Sequence, residues 1–103
     1  MATKETSDLT VQVDVLENEN ASIVYVWAEW CGPCRAMKPI MEDLSERIEV
    51  FKLDADANPE FMEEHNISSV PTLLVFDGGR MVKRVTGAKP KPALEMDFAN
   101  YLK

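Results

Sequence analysis

The sequence has few cysteines and no long apolar run. Its 103 residues include only two cysteines, whereas a secreted domain of this size that depends on disulfides carries more. The longest uninterrupted apolar stretch, residues 23–28, is far too short to cross a membrane. The first 22 residues hold five acidic residues and one lysine, which is unlike a secretory signal. We therefore expect a cytoplasmic protein that does not associate with membranes.

Basic residues are also scarce. The chain has 11 Lys and Arg against 18 Asp and Glu, a net charge of −7. Such a surface repels a phosphate backbone, so we expect no nucleic-acid partner, and the repulsion mildly favours a monomer. Residues 80–103 nevertheless carry six bases and two acids, and residues 42–64 carry nine acids and two bases. This asymmetry is compatible with two solvated faces of opposite sign or with a basic docking edge near the C-terminus.

The length and the apolar content predict one domain over residues 1–103. With 46% apolar residues, the chain can build a single core without disulfide support. Residues 1–8 are polar and are expected to form a flexible arm. Residues 9–20 match both a strand and a helix, and we expect a short strand followed by a short helix.

The remaining pattern predicts an α/β domain. Residues 23–28 are apolar on both faces, which is typical of a central strand that is covered on both sides. Strands joined by helices run parallel, and a glycine turn at Gly78 and Gly79 adds an antiparallel hairpin. We expect a central mixed sheet of four to five strands with helices on both faces. The other expected elements are a helix over 33–47 containing Pro39, a strand over 50–53, a helix from Asn58-Pro59, strands over 72–76 and 81–85, and a helix from Pro92.

The two cysteines, Cys31 and Cys34, lie where the central strand ends and a helix begins. Unpaired N–H groups and the positive dipole end at this point stabilise a thiolate at Cys31. A thiolate attacks a disulfide sulfur and forms a mixed disulfide, which Cys34, one helical turn along, can release. Gly32 permits a tight approach, and Pro33 presets a helical φ angle. The spacing therefore predicts dithiol–disulfide exchange.

A C-x-x-C pair also fits half of a zinc site. A structural zinc ion needs four ligands, and here only His65 and scattered acids remain. The position of the pair at a strand-to-helix junction, directly after Trp30, favours redox chemistry over metal binding.

Residues 27–34, Trp-Ala-Glu-Trp-Cys-Gly-Pro-Cys, resemble the active-site signature of the thioredoxin family. Val70-Pro71-Thr72 is similar to the family's cis-proline segment, and Gly87 falls at its substrate-groove glycine. The resemblance runs from about residue 23 to the C-terminus and implies a thioredoxin fold with a kink at Pro39.

The resemblance implies a protein-disulfide reductase, an enzyme-like electron carrier with no bound cofactor. Cys31 is then the exposed nucleophile, Cys34 is the buried resolving thiol, and their disulfide is the redox-active group. The implied partners are an NADPH-linked flavoprotein thioredoxin reductase and client proteins with disulfides. A cis Val70-Pro71 bond facing the cysteines would leave the Val70 backbone free to pair with a client. The residues implied to support or dock the client are Trp30, Gly32, Pro33, Val70, Pro71 and Gly87.

One position departs from the family's pattern, and a second position is affected by that departure. Tyr25 stands where the family has a buried Asp that takes the proton of the resolving thiol, and Lys52 falls at the position of that Asp's lysine partner. Because a tyrosine hydroxyl is a poor base near neutrality, we expect slower release of the mixed disulfide, with water or Lys52 taking the proton. Alternatively, Tyr25 is a packing aromatic with its hydroxyl satisfied.

Two other functions remain open at this stage. The chain could be a non-catalytic, thioredoxin-like binding subunit of a larger assembly, in which the cysteines are dispensable. It could also be recharged by a glutathione-linked route and not by a flavoprotein reductase.

Overall fold

The computed structural model describes residues 2–103, which form five β-strands, three α-helices and one π-helix. The elements in chain order are β1 (Lys4–Glu5), the π-helix (Gln12–Leu16), β2 (Ser22–Trp27), α1 (Gly32–Leu44), β3 (Glu49–Asp54), α2 (Pro59–Glu64), β4 (Thr72–Asp77), β5 (Arg80–Thr86) and α3 (Lys91–Asp97). None of these helices is long and apolar enough to span a membrane.

The sheet has the strand order β1-β3-β2-β4-β5, with β2 at its centre. β3 pairs in parallel with β1 and β2, while β4 is antiparallel to β2 and β5. Parallel neighbours require a crossover, which α1 supplies between β2 and β3. The prediction of a mixed sheet is confirmed, and its strand number is five.

Apolar side chains cover both faces of the sheet, as expected for a central strand without polar alternation. Ile23 and Tyr25 of β2 belong to one core cluster, which includes residues of α1 and α3. Val24 and Val26 belong to a second cluster, which includes Phe61 of α2 and residues of the π-helix. The prediction of helices on both faces is therefore confirmed.

The N-terminal segment is not the flexible arm predicted from its polarity, at least over the residues described. Lys4 and Glu5 pair with β3, and the backbone N–H of Thr6 donates to the Lys52 carbonyl at 2.9 Å. The Asp8 carboxylate accepts hydrogen bonds from the backbone N–H groups of Glu60 and Phe61. These long-range bonds tie the segment down, and the first residue of the expected arm lies outside the described residues.

Residues 9–20 contain the expected short helical element but no strand. The helix is a π-helix, with the Glu17 N–H donating to the Gln12 carbonyl at 2.8 Å. α1 also ends at Leu44, earlier than predicted. The residues that follow, 45–48, keep hydrogen-bonded turns but not a regular helix. That the whole chain forms one domain stays a prediction.

Candidate functional site

Cys31 and Cys34 form a disulfide at the N-terminus of α1, with Cα atoms 5.3 Å apart. Cys31 is the N-cap residue, and its Sγ accepts a hydrogen bond from the Cys34 backbone N–H at 3.2 Å. Pro33 occupies the first turn, where a missing N–H costs nothing. An anionic sulfur at Cys31 is stabilised by this donor and by the positive end of the helix.

Both cysteine residues are buried in the oxidised molecule. Cys31 is 4% exposed and Cys34 is 2% exposed, so the expectation of an exposed Cys31 side chain is wrong for this state. The disulfide holds Cys31 against the first turn of α1, where it packs into the core cluster. Gly32 and Pro33, which lie between the two cysteines in the chain, are exposed, and a Cβ built on Gly32 meets nothing within 4 Å.

Tyr25 contacts Cys34, and its hydroxyl has a hydrogen-bond partner. Its hydroxyl donates a hydrogen bond of 2.5 Å to the Cys34 carbonyl oxygen, and burial raises the pKa of Tyr25 to about 12. The phenol therefore remains a donor throughout the neutral range. Of the two interpretations of this position, the contact supports a packing aromatic whose hydroxyl is satisfied.

A cavity of about 170 Å³ opens beside Cys34 and Tyr25. Lys52, half-buried, is aligned with Tyr25 in the parallel register of β2 and β3. The structure thus brings Tyr25 and Lys52 together next to Cys34, at the places that the resemblance implied. The residues that line the cavity are Tyr25, Trp27, Ala28, Glu29, Cys34, Arg35, Lys38 and Lys52.

Trp30 and Val70 border one open groove of about 590 Å³. Trp30 is 68% exposed, and its indole N–H donates to the Asp56 carboxylate at 2.9 Å. The groove continues along α2 and the loop that follows it. Trp30, at the edge of the groove, immediately precedes Cys31 in the chain.

The Val70-Pro71 peptide bond is cis, as the resemblance implied. Pro71 is buried, and its carbonyl accepts a hydrogen bond from the Gly87 N–H at 2.9 Å. Gly87 has a φ of +94°, a conformation that residues with a Cβ rarely adopt. The proline and the glycine named from sequence are therefore neighbours.

Sequence reasoning missed three polar residues around the disulfide. Asp56 holds the Trp30 ring, Arg35 donates to the Glu29 carbonyl at 2.8 Å, and Lys38 lines the cavity. Asp56 lies in an acid-rich stretch and the two bases lie on an exposed helix face, so none of them carried a local signal. Among residues 2–103, no three His, Cys, Asp or Glu side chains cluster in a way that could hold a metal ion.

The family model described as Thioredoxin matches residues 2–100. The chain belongs to the thioredoxin family. It is 46% identical over 94 residues to a thioredoxin of Streptomyces clavuligerus, with 88% of each chain covered. It is 40% identical over 105 residues to a thioredoxin of Synechocystis sp., with 98% of each covered.

A third relative is larger than this chain. The protein called bifunctional thioredoxin reductase/thioredoxin of Mycobacterium leprae is 40% identical over 102 residues, which cover 95% of this chain and 22% of that protein. Thioredoxins are protein-disulfide oxidoreductases. Family membership and the Cys31–Cys34 disulfide together make this chain a thioredoxin-type disulfide reductase.

Proposed function

We propose that Cys31 is the nucleophile of this reductase and that Cys34 is the resolving thiol. The observation that carries the assignment is the position of Cys31 at the N-cap of α1, where its Sγ accepts the Cys34 N–H. That environment favours a thiolate at Cys31. Cys34 lies inside the first turn and is 2% exposed, with its carbonyl bonded to the Tyr25 hydroxyl, which fits a thiol that reacts after Cys31 has bound the client.

The exchange proceeds in two balanced steps. The Cys31 thiolate attacks one sulfur of the client disulfide, a new S–S bond joins the two proteins, and the other client sulfur leaves as a thiolate that takes a proton. The Cys34 thiolate then attacks the Cys31 sulfur, the Cys31–Cys34 bond forms and the second client sulfur leaves. Two electrons pass from the dithiol of this chain to the client.

We further propose that the groove beside Trp30 receives the client. A docked segment would lie across exposed Gly32 and Pro33 and pair with the Val70 backbone, with Pro71 and Gly87 shaping the rim. The large exposed indole of Trp30 supports this role, because an aromatic side chain supplies apolar contact area with little loss of conformational entropy.

The proposed electron donor is an NADPH-linked flavoprotein thioredoxin reductase in the cytoplasm. The name of the Mycobacterium leprae relative joins a reductase and a thioredoxin in one protein, which supports such a pairing for this family member. A reducing compartment would keep the Cys31–Cys34 pair in its dithiol state between turnovers. NADPH oxidation should be rapid when a thioredoxin reductase supplies electrons and slow when glutathione and its reductase supply them; the reverse order would contradict this donor.

A trapping experiment tests the roles of the two cysteines. Reduced Cys34→Ser protein is mixed with insulin, and the products are separated without reductant and identified by mass spectrometry. The expected product is a stable mixed disulfide between insulin and Cys31, because the resolving thiol is missing. Cys31→Ser should give no such adduct, and an adduct at Cys34 in that variant would contradict the assignment.

A further inference from the structure

The cavity beside Cys34 is predominantly cationic. Arg35, Lys38 and Lys52 line it, and the one acidic side chain on its wall is Glu29. Three positive charges therefore stand against one negative charge, in a chain whose net charge is −7. This positively charged cavity therefore lies next to Cys34, whose thiol must lose a proton during the reaction.

The ammonium groups of the two lysines that line the cavity are not engaged by other side chains of the described residues. Neither ammonium group has a hydrogen-bond or ion-pair partner within residues 2–103. Lys52 is half-buried beside Tyr25, and Lys38 lies on α1, one turn after Cys34 and more exposed. Arg35 differs from them because its guanidinium donates to the Glu29 carbonyl.

No buried base faces Cys34 among the residues that line the cavity. Tyr25 keeps its proton, since its pKa is raised to about 12, and its hydroxyl points at the Cys34 carbonyl. Glu29 is exposed to solvent, where a carboxylate is a weak base. Water that enters the cavity is the remaining acceptor for the Cys34 proton.

We propose that the Cys34 thiol loses its proton to water through this cavity, and that the Lys38 and Lys52 ammonium groups stabilise the thiolate in place of a carboxylate base. The proposal rests on the resolving role of Cys34. The two lysines act through their charge on the cysteine, so they are positioning residues.

The step is balanced without any added oxidant. The Cys34 S–H bond breaks, and its proton passes to a cavity water and on to solvent. The electron pair left on Cys34 forms the bond to the Cys31 sulfur. The bond between Cys31 and the client breaks, and its electron pair leaves on the client sulfur as a thiolate.

This arrangement predicts a distinctive pH and salt dependence. A cation that lines the same partly solvated cavity as a thiol lowers the pH at which the thiolate forms, by about one unit. Because salt screens such charges when they are partly exposed, high ionic strength should raise the midpoint of the resolving step.

Stopped-flow reaction with 5,5′-dithiobis(2-nitrobenzoic acid) measures the two steps separately. The attack of Cys31 releases a first thionitrobenzoate, and resolution by Cys34 releases a second one. The second phase is recorded across the range in which cysteine thiols titrate, for the wild type and for Lys52→Met, Lys38→Met and Lys52→Arg. Lys83→Met serves as the matched control, because Lys83 lies exposed on β5, away from the cavity.

The expected result is an upward shift of the second-phase midpoint by about one pH unit in Lys52→Met. Lys38→Met should give a smaller shift, because Lys38 is better solvated. Lys52→Arg keeps the charge and should restore the wild-type profile, which a purely structural role of Lys52 would not produce. Lys83→Met should leave the profile unchanged.

Two outcomes would overturn the proposal while leaving the function intact. One is a Lys52→Met profile equal to that of the wild type. The other is a marked slowing of the second phase near neutral pH in Glu29→Gln, which would make that carboxylate the base. Failure of the function itself looks different, because the first phase would then survive in Cys31→Ser or the second phase would survive in Cys34→Ser.

Discussion

At the scale of single residues, Tyr25 determines how the buried side of the site is built. Its hydroxyl satisfies the Cys34 carbonyl at the start of α1, and its ring packs in the core between the sheet and the helix. The sequence predicted the cysteine pair, Trp30 and the cis bond before Pro71 because these carry local motifs. The direction of the Tyr25 hydroxyl depends on where α1 packs, so no local pattern revealed it.

Tyr25→Phe should lower the free energy of unfolding of the oxidised protein by about 1 kcal/mol, because a buried hydrogen bond is lost while the ring remains. Urea denaturation measures the difference. Tyr101→Phe is the control, since the Tyr101 hydroxyl has no hydrogen-bond partner within residues 2–103; its change should stay within about 0.5 kcal/mol. Equal effects in the two variants would argue against the role of the Tyr25 hydroxyl.

The single histidine gives the fold a pH dependence of known sign. His65 packs against the Phe61 ring at 4.4 Å and the Phe76 ring at 5.6 Å, and burial lowers its pKa, with a smaller lowering by Arg84 and an opposing effect of Glu64. The unfolded chain, with a histidine pKa of about 6.5, therefore binds a proton that the folded state resists. Stability should be full above that pH and fall as the pH drops through it towards the lowered folded value.

Thermal unfolding of the wild type and His65→Gln at several pH values tests this sign. The wild type should lose more stability than the variant between neutral and mildly acidic pH. A steeper loss in His65→Gln would show that the folded state favours the charged imidazole, which contradicts the burial argument.

At the scale of elements, the helices and turns depend on partners far away in the chain. Asn58 was a correct prediction for the start of α2, but its side chain accepts from the Asp8 N–H and donates to the Asp54 carbonyl. The cap of α2 comes instead from the Asp8 carboxylate. Strand β1 consists of two exposed charged residues, so it has no apolar pattern that could signal pairing.

Asp8→Ala should destabilise the protein by about 1 kcal/mol, the usual cost of losing a helix-capping side chain. Chemical denaturation provides the measurement. Glu19→Ala removes the same charge from an exposed position and should change stability by no more than about 0.5 kcal/mol. If both variants lose the same stability, net charge and not the cap is responsible.

The β4–β5 turn provides a matched pair of glycines. Gly78 and Gly79 have φ angles of +61° and +81°, and a Cβ at Gly79 would lie 2.5 Å from the Leu16 carbonyl oxygen, whereas Gly78 faces open space. Gly78→Ala should cost about 1 kcal/mol for its left-handed backbone. Gly79→Ala should cost a further 1–3 kcal/mol, roughly, because the contact with the end of the π-helix must open. Equal losses in unfolding experiments would contradict this close approach.

At the scale of the whole molecule, the mixed sheet with helices on both faces was predictable because β2 is apolar on both sides and the glycine turn marks a hairpin. The ion pairs that the basic C-terminal region forms were less predictable. Lys91 pairs with Asp43 of α1, and Glu95 of α3 pairs with Arg47 in the turn after α1, so the C-terminal region contributes one base and one acid to ion pairs with this part of the chain. These pairs favour solvated faces of opposite sign over a docking edge.

The central claim is that the molecule reduces protein disulfides through the Cys31–Cys34 pair, and one assay tests it most directly. Reduction of insulin by dithiothreitol is followed by turbidity with no protein, with the wild type and with Cys31→Ser. We predict that the wild type accelerates the reaction clearly and that Cys31→Ser does not. No acceleration by a folded wild-type protein with two free thiols would contradict the account and favour a binding subunit in which the cysteines are dispensable.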